Sequence, residues 1–369
     1  MFLYLNHFLN FMKIISILHT GGTIAAKVSE KGGVSAQYTA KEILELYPEI
    51  KPLQNKKPRL VANILSENMN FSHYNLLAKE IKKEIGKGID GIIITHGTDT
   101  MHYTSAALSF ILENLPIPVI IVGAQRSSDR GSSDASLNLI SAINFINKTD
   151  FAEVAICMHA TMDDTHCSIL PALKTKKLHT SRRDAFKSVN AKPYAFIYHD
   201  KEINLLRKDF RKVNKKSKLN LKIFNPKIKV GILKTHPNML AEEIKSYKNF
   251  HGLILEGTGL GHAPIEKIDN FTSENSKIFS ELKNLAKKIP IVMTSQCTFG
   301  RINMNVYTPG RKLQEIGILG NMLDMTTETA FIKLAWLLSN YKRSEIKDLI
   351  SENFRGEISD RTSAEFLDD

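Results

Sequence analysis

The sequence is poor in cysteine and tryptophan, and it has no long hydrophobic run. Its 369 residues include three cysteines and one tryptophan. Cys157, Cys167 and Cys297 are odd in number and have no Cys-x-x-Cys spacing, which argues against a disulfide framework or a structural zinc site. A reducing compartment, the cytoplasm, is therefore expected. Every apolar run falls short of the ~20 residues of a transmembrane helix, so no membrane association is expected.

The apolar N-terminal stretch Met1–Met12 does not have the organisation of an export signal. No basic segment precedes it, and polar residues interrupt it. Cleavage near Ala25 would also remove the candidate site residues Thr20 and Thr23. We therefore expect no export. Translation can start at Met1 or at Met12, which leads directly into a predicted strand.

The composition predicts an ordered protein with roughly two domains. Apolar residues make up 43% of the chain and charged residues 24%, which supports a sizeable core. The net charge is +12, and the densest basic run, Arg207–Lys229, contains one acidic residue, Asp209. We interpret this run as a solvated linker, with a footprint for RNA or an acidic partner as the alternative. Residues 13–200 are expected to form the N-terminal domain with the catalytic residues, 201–228 the linker, and 229–369 the C-terminal domain.

Short apolar runs alternate with helical patterns along the whole chain. Strands are predicted at Ile14–Leu18, Ile92–Thr95, Pro118–Val122, Val154–Met158, Lys229–Leu233, Gly252–Leu255 and Pro290–Thr294. Helices are predicted at Met101–Glu113, Asp134–Ile146, Met239–Tyr247, Ser273–Lys287 and Thr327–Leu338. This alternation predicts an α/β fold of two domains: a mostly parallel, doubly wound sheet with helices on both faces, and a smaller α/β C-terminal domain.

Three polar clusters follow predicted strands of the first domain. Thr20-Gly21-Gly22-Thr23 follows the first strand, and Thr98-Asp99 follows Ile92–Thr95. Gln125 follows the third strand. Because ligands bind beyond the carboxyl ends of parallel strands, we expect one composite site at this edge of the sheet.

The residue types in these clusters suit attack on a side-chain amide. A threonine hydroxyl is a poor nucleophile and needs a neighbouring base. Thr98 and Asp99 supply a hydroxyl and a carboxylate, and a desolvated Lys177 can accept a proton as a neutral amine. Gly22 permits close approach of backbone amides near Thr23 to a developing oxyanion, where one donor is typically worth ~3 kcal/mol.

Each of these residues also has a purely structural interpretation. Thr20 and Thr23 can cap a turn, and Lys177 can be a solvated lysine in a basic stretch. Asp99 can be the N-cap of the helix that follows it. Arg182-Arg183-Asp184 is interpreted as a structural ion-pair cluster rather than a substrate contact.

Two segments resemble motifs of the bacterial-type L-asparaginase family. They are Thr20-Gly21-Gly22-Thr23-Ile24-Ala25 and Thr95-His96-Gly97-Thr98-Asp99-Thr100. The resemblance implies the two-domain asparaginase fold. It also implies that Thr23 is the usual nucleophile and that Thr98 and Asp99 work with Lys177; which threonine attacks first stays open.

The same resemblance implies how the substrate is held. Ser66-Glu67-Asn68-Met69 is similar to the family segment that binds the substrate α-carboxylate. Ser66 and Glu67 are therefore expected at the α-amino and α-carboxylate end of the substrate. Backbone amides near Gly22 and Gly97 are expected to hold the oxyanion.

A narrower resemblance is to the D-subunit family of archaeal-type glutamyl-tRNA(Gln) amidotransferases. It is carried by Gly123-Ala124-Gln125-Arg126-Ser127-Ser128-Asp129-Arg130, by the block His179–Asn190 and by Gly300–Tyr307. It implies a glutaminase or asparaginase subunit that releases ammonia to a larger E subunit. The E subunit would bind Glu-tRNA(Gln), use ATP and Mg²⁺, and form Gln-tRNA(Gln). A homodimer of this chain within a heterotetramer is also implied.

No cofactor or metal is expected in this chain itself. It has no Walker-type Gly-x-x-x-x-Gly-Lys segment, so ATP and Mg²⁺ are expected in the partner subunit. The spacing of its histidines does not match a zinc pattern, and core hydrogen bonding is the favoured role. The histidines considered as ligands are His96, His159 and His179, three of the twelve in the chain.

Two departures from the D-subunit pattern leave alternatives open. Only Met1–Met12 precede the predicted core, where that family usually carries an extra β-rich domain. Val28–Gly33, after the first motif, contains no tyrosine, although relatives place one there. A free-standing cytoplasmic L-asparaginase is the first alternative, and a tRNA-binding or scaffold protein without activity is the second. The preference between glutamine and asparagine stays open, because one methylene gives only ~10–200-fold selection.

Overall fold

The computed structural model describes residues 13–22, 26–28, 34–36, 58–126 and 131–362. They form two compact units. The first contains the described residues up to Ser188 together with Lys192–Leu221, and the second contains Val189–Ala191 and the described residues from Lys222 onward.

The first unit carries the larger sheet. The strands of this unit, which belong to the larger sheet or to two-stranded sheets, are β1 (Ile15–His19), β2 (Ala26–Val28), β3 (Val34–Ala36), β4 (Arg59–Leu60), β5 (Gly91–Thr95), β6 (Leu112–Glu113), β7 (Val119–Val122), β8 (Val154–His159), β9 (His166–Pro171), β10 (Thr175–Lys177), β11 (Phe186–Ser188), β12 (Ala195–Tyr198), β13 (Ile203–Leu205) and β14 (Asn220–Leu221). Its helices are α1 (Phe71–Ile85), α2 (Met101–Ile111) and α3 (Ala135–Lys148), preceded by a 3₁₀ turn at Ser66–Asn68.

The main sheet is mostly parallel, as predicted. Its strand order is β13-β12-β9-β8-β7-β5-β1-β4. Strands β4, β1, β5, β7 and β8 run parallel to one another, whereas β9, β12 and β13 pair antiparallel with their neighbours, β9 with β8 among them. Ile17 lies opposite Ile93, and Ile93 lies opposite Ile120. The loops after β1, β5 and β7 therefore meet at one edge of the sheet.

Helices cover both faces of this sheet because its central strands are apolar on both sides. Ile93 and Ile120 belong to a buried cluster that also contains Leu139 and Ile143 of α3. Ile92 and Ile94 point to the opposite face and are fully buried as well. Helix α2 contacts β8, and α1 packs on α2. The sequence prediction of a doubly wound sheet is confirmed.

The second unit is a smaller α/β unit. Its strands are β15 (Val230–Lys234), β16 (Gly252–Gly257) and β17 (Ile291–Ser295), and all are parallel. Its helices are α4 (Ala241–Lys245), α5 (Glu274–Ala286), α6 (Thr308–Glu315), α7 (Thr327–Asn340) and α8 (Ile346–Leu349), with a 3₁₀ turn at Arg343–Glu345. The side chain of Thr326 accepts a hydrogen bond from Thr329 N and so caps α7.

Several basic residues of the run Arg207–Lys229 form ion pairs within the first unit. Arg207 binds Asp209 and Lys212 binds Asp150, at 2.8 Å and 3.1 Å. Lys215 pairs with Asp90. Strands β13 and β14, which fall in the segment expected to be a linker, pair with β12 and β6. The three-part domain division stays a prediction. No helix in the described part of the chain combines the length and apolarity needed to cross a membrane.

Candidate active site

The loops after β1 and β5 pack backbone against backbone. Gly21 and Gly22 have φ values of +102° and +83°, a region that glycine enters without steric cost. A Cβ on Gly22 would lie 2.3 Å from the Cα and N atoms of Gly97. The Gly-Gly turn is therefore required by the close approach of the two loops.

Lys177 reaches the loop after β5 from a separate two-stranded ribbon. Strand β10 pairs with β11 antiparallel, with Lys177 opposite Phe186. The Lys177 ammonium lies 2.9 Å from Thr98 Oγ1 and 2.7 Å from Asp99 Oδ1. The Lys177 side chain is 10% exposed, whereas that of Asp99 is 67% exposed. Two separate parts of the sequence, Thr98-Asp99 and Lys177, thus lie together, and the amine does not point to solvent.

The Thr98 hydroxyl accepts one hydrogen bond and donates another. Lys177 Nζ donates to Thr98 Oγ1, and Thr98 Oγ1 donates to Gln125 Oε1 at 3.4 Å. Gln125 Nε2 is buried and has no hydrogen-bond partner among the residues described. The loop after β7 therefore contributes to the same site, as its position at the third strand end predicted.

Ser66 and Glu67 lie on the 3₁₀ turn before α1, close to the same loop. Ser66 is buried, and its Oγ would lie 2.9 Å from a Cβ placed on Gly97. Thr100 Oγ1 donates to Ser66 O at 2.6 Å. Glu67 is exposed. The turn is thus held beside Gly97, and its acidic residue is open to solvent.

Two parts of the expected site lie outside the described residues. They are Thr23 and the segment Ser127–Arg130. Thr20 is described, and its Oγ1 donates to Thr95 O at 3.0 Å, which agrees with a structural role. Asp99 is not the N-cap of α2, because that position belongs to Thr100. Its carboxylate pairs with Lys177 instead.

Two neutral histidines lie beneath the site. His19 bonds Thr95 Oγ1. His96 Nδ1 donates to Gly97 O at 2.6 Å, and Thr104 Oγ1 donates to His96 Nε2 at 2.9 Å. Burial lowers the pKa of His96 to about 4, and burial followed by repulsion from His96 lowers the pKa of His19 to about 4. No three His, Cys, Asp or Glu residues come together as metal ligands in the described ranges.

Sequence reasoning missed the role of Asp134. An aspartate before a helix is usually an N-cap, and the predicted helix begins at Asp134. Its carboxylate makes no capping bond to α3. It accepts from Gln125 N and Arg126 N, each at 3.0 Å. Arg182 pairs with Asp184 at 2.8 Å, as the structural interpretation of that cluster expected.

A hydroxyl, an amine and a carboxylate within hydrogen-bond distance match the arrangement of an activated nucleophile. At the carboxyl edge of a doubly wound sheet, with glycine loops nearby, this cluster defines an α/β amidohydrolase. Comparisons with known proteins give the family. The chain belongs to the asparaginase family: the model "Asparaginase, N-terminal" matches residues 14–211, and "Glutaminase/Asparaginase C-terminal domain" matches residues 229–350.

Within the asparaginase family, the chain is similar to D subunits of glutamyl-tRNA(Gln) amidotransferases. The chain is 43% identical over 361 residues to the D subunit of glutamyl-tRNA(Gln) amidotransferase from Methanosphaera stadtmanae, with 96% of this chain and 79% of the relative covered. It is 44% identical to the D subunit from Methanococcus maripaludis, with 96% and 82% covered. Among solved structures, the thermostable L-asparaginase from Thermococcus kodakarensis matches with a TM-score of 0.81 at 29% identity, covering 94% of this chain and 99% of that one. The resemblance stated from the sequence motifs is confirmed.

Proposed function

We propose that this chain is the amide-hydrolysing D subunit of a glutamyl-tRNA(Gln) amidotransferase. It hydrolyses glutamine, or asparagine, and supplies ammonia for the conversion of Glu-tRNA(Gln) to Gln-tRNA(Gln). The observation that carries the hydrolytic half is the contact of Lys177 Nζ with both Thr98 Oγ1 and Asp99 Oδ1. The tRNA-dependent half rests on identity above 40% to D-subunit relatives over nearly the whole chain.

The proposed reaction is covalent amide hydrolysis. The hydroxyl of Thr23 or Thr98 attacks the carboxamide carbon, and Lys177 takes the hydroxyl proton. Backbone amides near Gly22 and Gly97 stabilise the oxyanion. Collapse of the tetrahedral intermediate passes a proton to the leaving nitrogen and releases ammonia, leaving an ester to threonine. Water then hydrolyses the ester and regenerates the hydroxyl.

The direction of the hydrogen bonds sets one requirement on this reaction. Lys177 donates to Thr98 in the structure, so it must lose a proton before it can accept one. The exposed Asp99 carboxylate, 2.7 Å from Nζ, is the neighbouring group that orients the amine. Ser66 and Glu67 are proposed to bind the α-amino and α-carboxylate end of the substrate, which is supported by the position of Ser66 beside Gly97.

The proposed partners are those implied by the resemblance to the D-subunit family. A larger E subunit binds Glu-tRNA(Gln), activates the glutamyl carboxylate with ATP and Mg²⁺, and receives the ammonia. The chain forms a homodimer within a heterotetramer and works in the cytoplasm. The chain itself needs no cofactor, because a threonine, a lysine and backbone amides complete the proposed chemistry.

The test is an amide-hydrolysis assay with and without the co-expressed E subunit. Ammonia release from glutamine and from asparagine is measured, with Thr23→Ala as the inactive control. We expect strong stimulation by Glu-tRNA(Gln) in the presence of the partner. A partner that neither co-purifies nor changes turnover would contradict the tRNA-dependent half of the proposal.

A free-standing L-asparaginase is the second candidate. It is favoured by the structural match that covers 99% of the Thermococcus kodakarensis L-asparaginase. Full activity of the isolated chain on asparagine, unaffected by partner or tRNA, would establish it. Inactivity on both amides with the partner present would instead support a non-enzymatic role.

A further inference from the structure

His159 lies fully buried at the end of β8, outside the site described above. Its Nδ1 is 2.7 Å from Asn138 Oδ1, and its Nε2 is 3.1 Å from Asp164 Oδ1. A neutral imidazole has one N–H and one acceptor nitrogen. The identity of the two facing atoms therefore decides the charge of the ring.

Both facing atoms are acceptors. Asn138 Nδ2 donates to Gly123 O at 3.0 Å and lies 3.3 Å from Asp134 Oδ2, which fixes the amide with Oδ1 towards the ring. The Asp164 side chain is 69% exposed, and its Oδ1 accepts from Arg183 Nη1 at 2.9 Å. A neutral ring would place a lone pair against an oxygen on one side. The ring is satisfied on both sides only as an imidazolium.

One arm of hydrogen bonds leads from this cation to the segment between β7 and α3. The described ends of this segment are residues 123–126 and 131–134, and this arm reaches the first of them. Asn138 connects the ring to Asp134. The Asp134 carboxylate accepts from Gln125 N and Arg126 N, each at 3.0 Å. Asp134 and Asn138 are both fully buried, so this arm is shielded from water.

The second arm leads to the other end of the same segment. Arg183 binds Asp164 through Nη1 and donates to Ser132 O through Nη2. Ser133 Oγ donates to Arg126 O at 3.0 Å and ties the two described ends together. The network is a closed ring, and His159 is the point from which both arms start.

We propose that His159 is a cationic positioning residue, which holds both ends of this segment and thereby keeps Gln125 against Thr98. The inference rests on the proposed function, since Gln125 Oε1 accepts from the Thr98 hydroxyl that the reaction uses. The sequence blocks that carry the narrower resemblance, around Gln125 and Arg183, contribute members of this one network.

The charged and titratable groups around His159 come from every neighbouring element. Asp134 precedes α3, Asp164 precedes β9, and Cys167 Sγ on β9 lies 3.9 Å from Nδ1. Lys187 on β11 donates to Ala160 O beside the ring. Burial favours the neutral ring, but Cys167, Asp164 and Asp134 outweigh it and raise the pKa of His159. His166 on β9 also interacts electrostatically with the ring.

The raised pKa of His159 decides how the network responds to pH. A raised pKa in the folded protein means that the cation, and the stability it contributes, is present at low pH and is lost as pH rises through the folded value. The network then loses its link at His159, and Gln125 is released from its position. We expect amide hydrolysis to show an alkaline limb that reports this titration.

The test compares Asp164→Asn with Asp163→Asn in the full chain, with its E subunit if the two co-purify. The Asp164→Asn change keeps an acceptor oxygen but removes the charge, whereas Asp163 is a neighbouring aspartate that bonds Thr161 and Thr165. Nitrogen chemical shifts of labelled histidine, assigned with His159→Gln, measure the ring's charge. We expect an imidazolium at pH 7 in the wild type, and a titration midpoint lowered by about one pH unit in Asp164→Asn.

The pH dependence of kcat and amide hydrogen exchange test whether His159 positions Gln125. In Asp164→Asn the alkaline limb of the kcat profile should move to lower pH by about one unit. Its kcat should be near wild type at pH 6 and reduced about tenfold at pH 8. Exchange at the Gln125 and Arg126 amides should accelerate at pH 8. Asp163→Asn should change none of these.

Three results would overturn the proposal: a neutral His159 at pH 7, a pH profile of Asp164→Asn that superimposes on that of Asp163→Asn, or unchanged exchange at Gln125 and Arg126. Failure of the proposed function looks different. If no variant and no wild-type complex hydrolyses an amide, the ring's charge and the exchange rates still decide whether His159 holds the segment.

Discussion

Replacing Lys177 by methionine removes the amine while keeping most of the side-chain volume. Loss of a positioned general base typically lowers turnover by roughly 10²–10⁴-fold, which is about 3–5 kcal/mol of barrier. The same change removes a pair with Asp99, whose side chain is 67% exposed. Such a pair contributes at most about 1 kcal/mol to folding. Activity should therefore collapse in a protein that stays folded.

The assay is ammonia release from glutamine and asparagine, alongside thermal unfolding of each variant. Lys177→Arg keeps a cation beside Asp99 but cannot act as a neutral base, so it should be as inactive as Lys177→Met. Lys176→Met is the matched control, because neighbouring strand residues point to opposite faces. It should retain wild-type turnover.

Wild-type turnover by folded Lys177→Met would refute the role of the amine. Equal losses in Lys177→Met and Lys176→Met would show that the activity depends on the stability of the β10–β11 ribbon. Activity in Lys177→Arg would show that charge, rather than proton transfer, is what residue 177 supplies.

Two further predictions concern the loops around the site. Gly22→Ala should abolish hydrolysis and lower the melting temperature, because its Cβ would lie 2.3 Å from the Gly97 backbone. The control is Gly86→Ala, whose Cβ meets its neighbours at 3.5 Å or more. A stable, active Gly22→Ala variant would contradict the close packing of the two loops. The free energy of unfolding should fall as pH drops from about 6.5 to 4, because folded His19 and His96 resist protonation with pKa values of about 4 while the unfolded chain binds the protons. Urea unfolding across this range should show a shallower slope in His96→Asn, by up to about 3 kcal/mol in total, and identical slopes would refute the assignment.

The parts of the site that follow strands could be predicted from the sequence. Buried strands read as continuous apolar runs, and parallel strands bring their carboxyl ends to one edge, so Thr98 and Gln125 were expected to meet. The chemistry calls for a base such as Lys177, but this residue lies in a basic stretch with no local signal, and the family resemblance is what distinguishes it from the neighbouring lysines. Its contact with Thr98 spans 79 positions.

Other features had no sequence signal because they depend on tertiary contacts. Strands β13 and β14 are only three and two residues long and pair through their backbones, which composition does not reveal. Asp134 has the position of a helix cap, but its carboxylate binds backbone amides of another loop. His159 looked like one of several core histidines, and its charge follows only from the two acceptors that face it.

The ribbon formed by β10 and β11 sets the order in which the site is assembled. The amine at position 177 and the hydroxyl at position 98 come from opposite sides of the long connection that contains α3, β8 and β9. Closing a loop of that length is entropically unfavourable until the intervening elements have folded. During synthesis, a nascent chain whose residue 177 has not yet left the ribosome holds its threonine without its amine. On the proposed role of Lys177, amide hydrolysis therefore requires that the first unit is largely built.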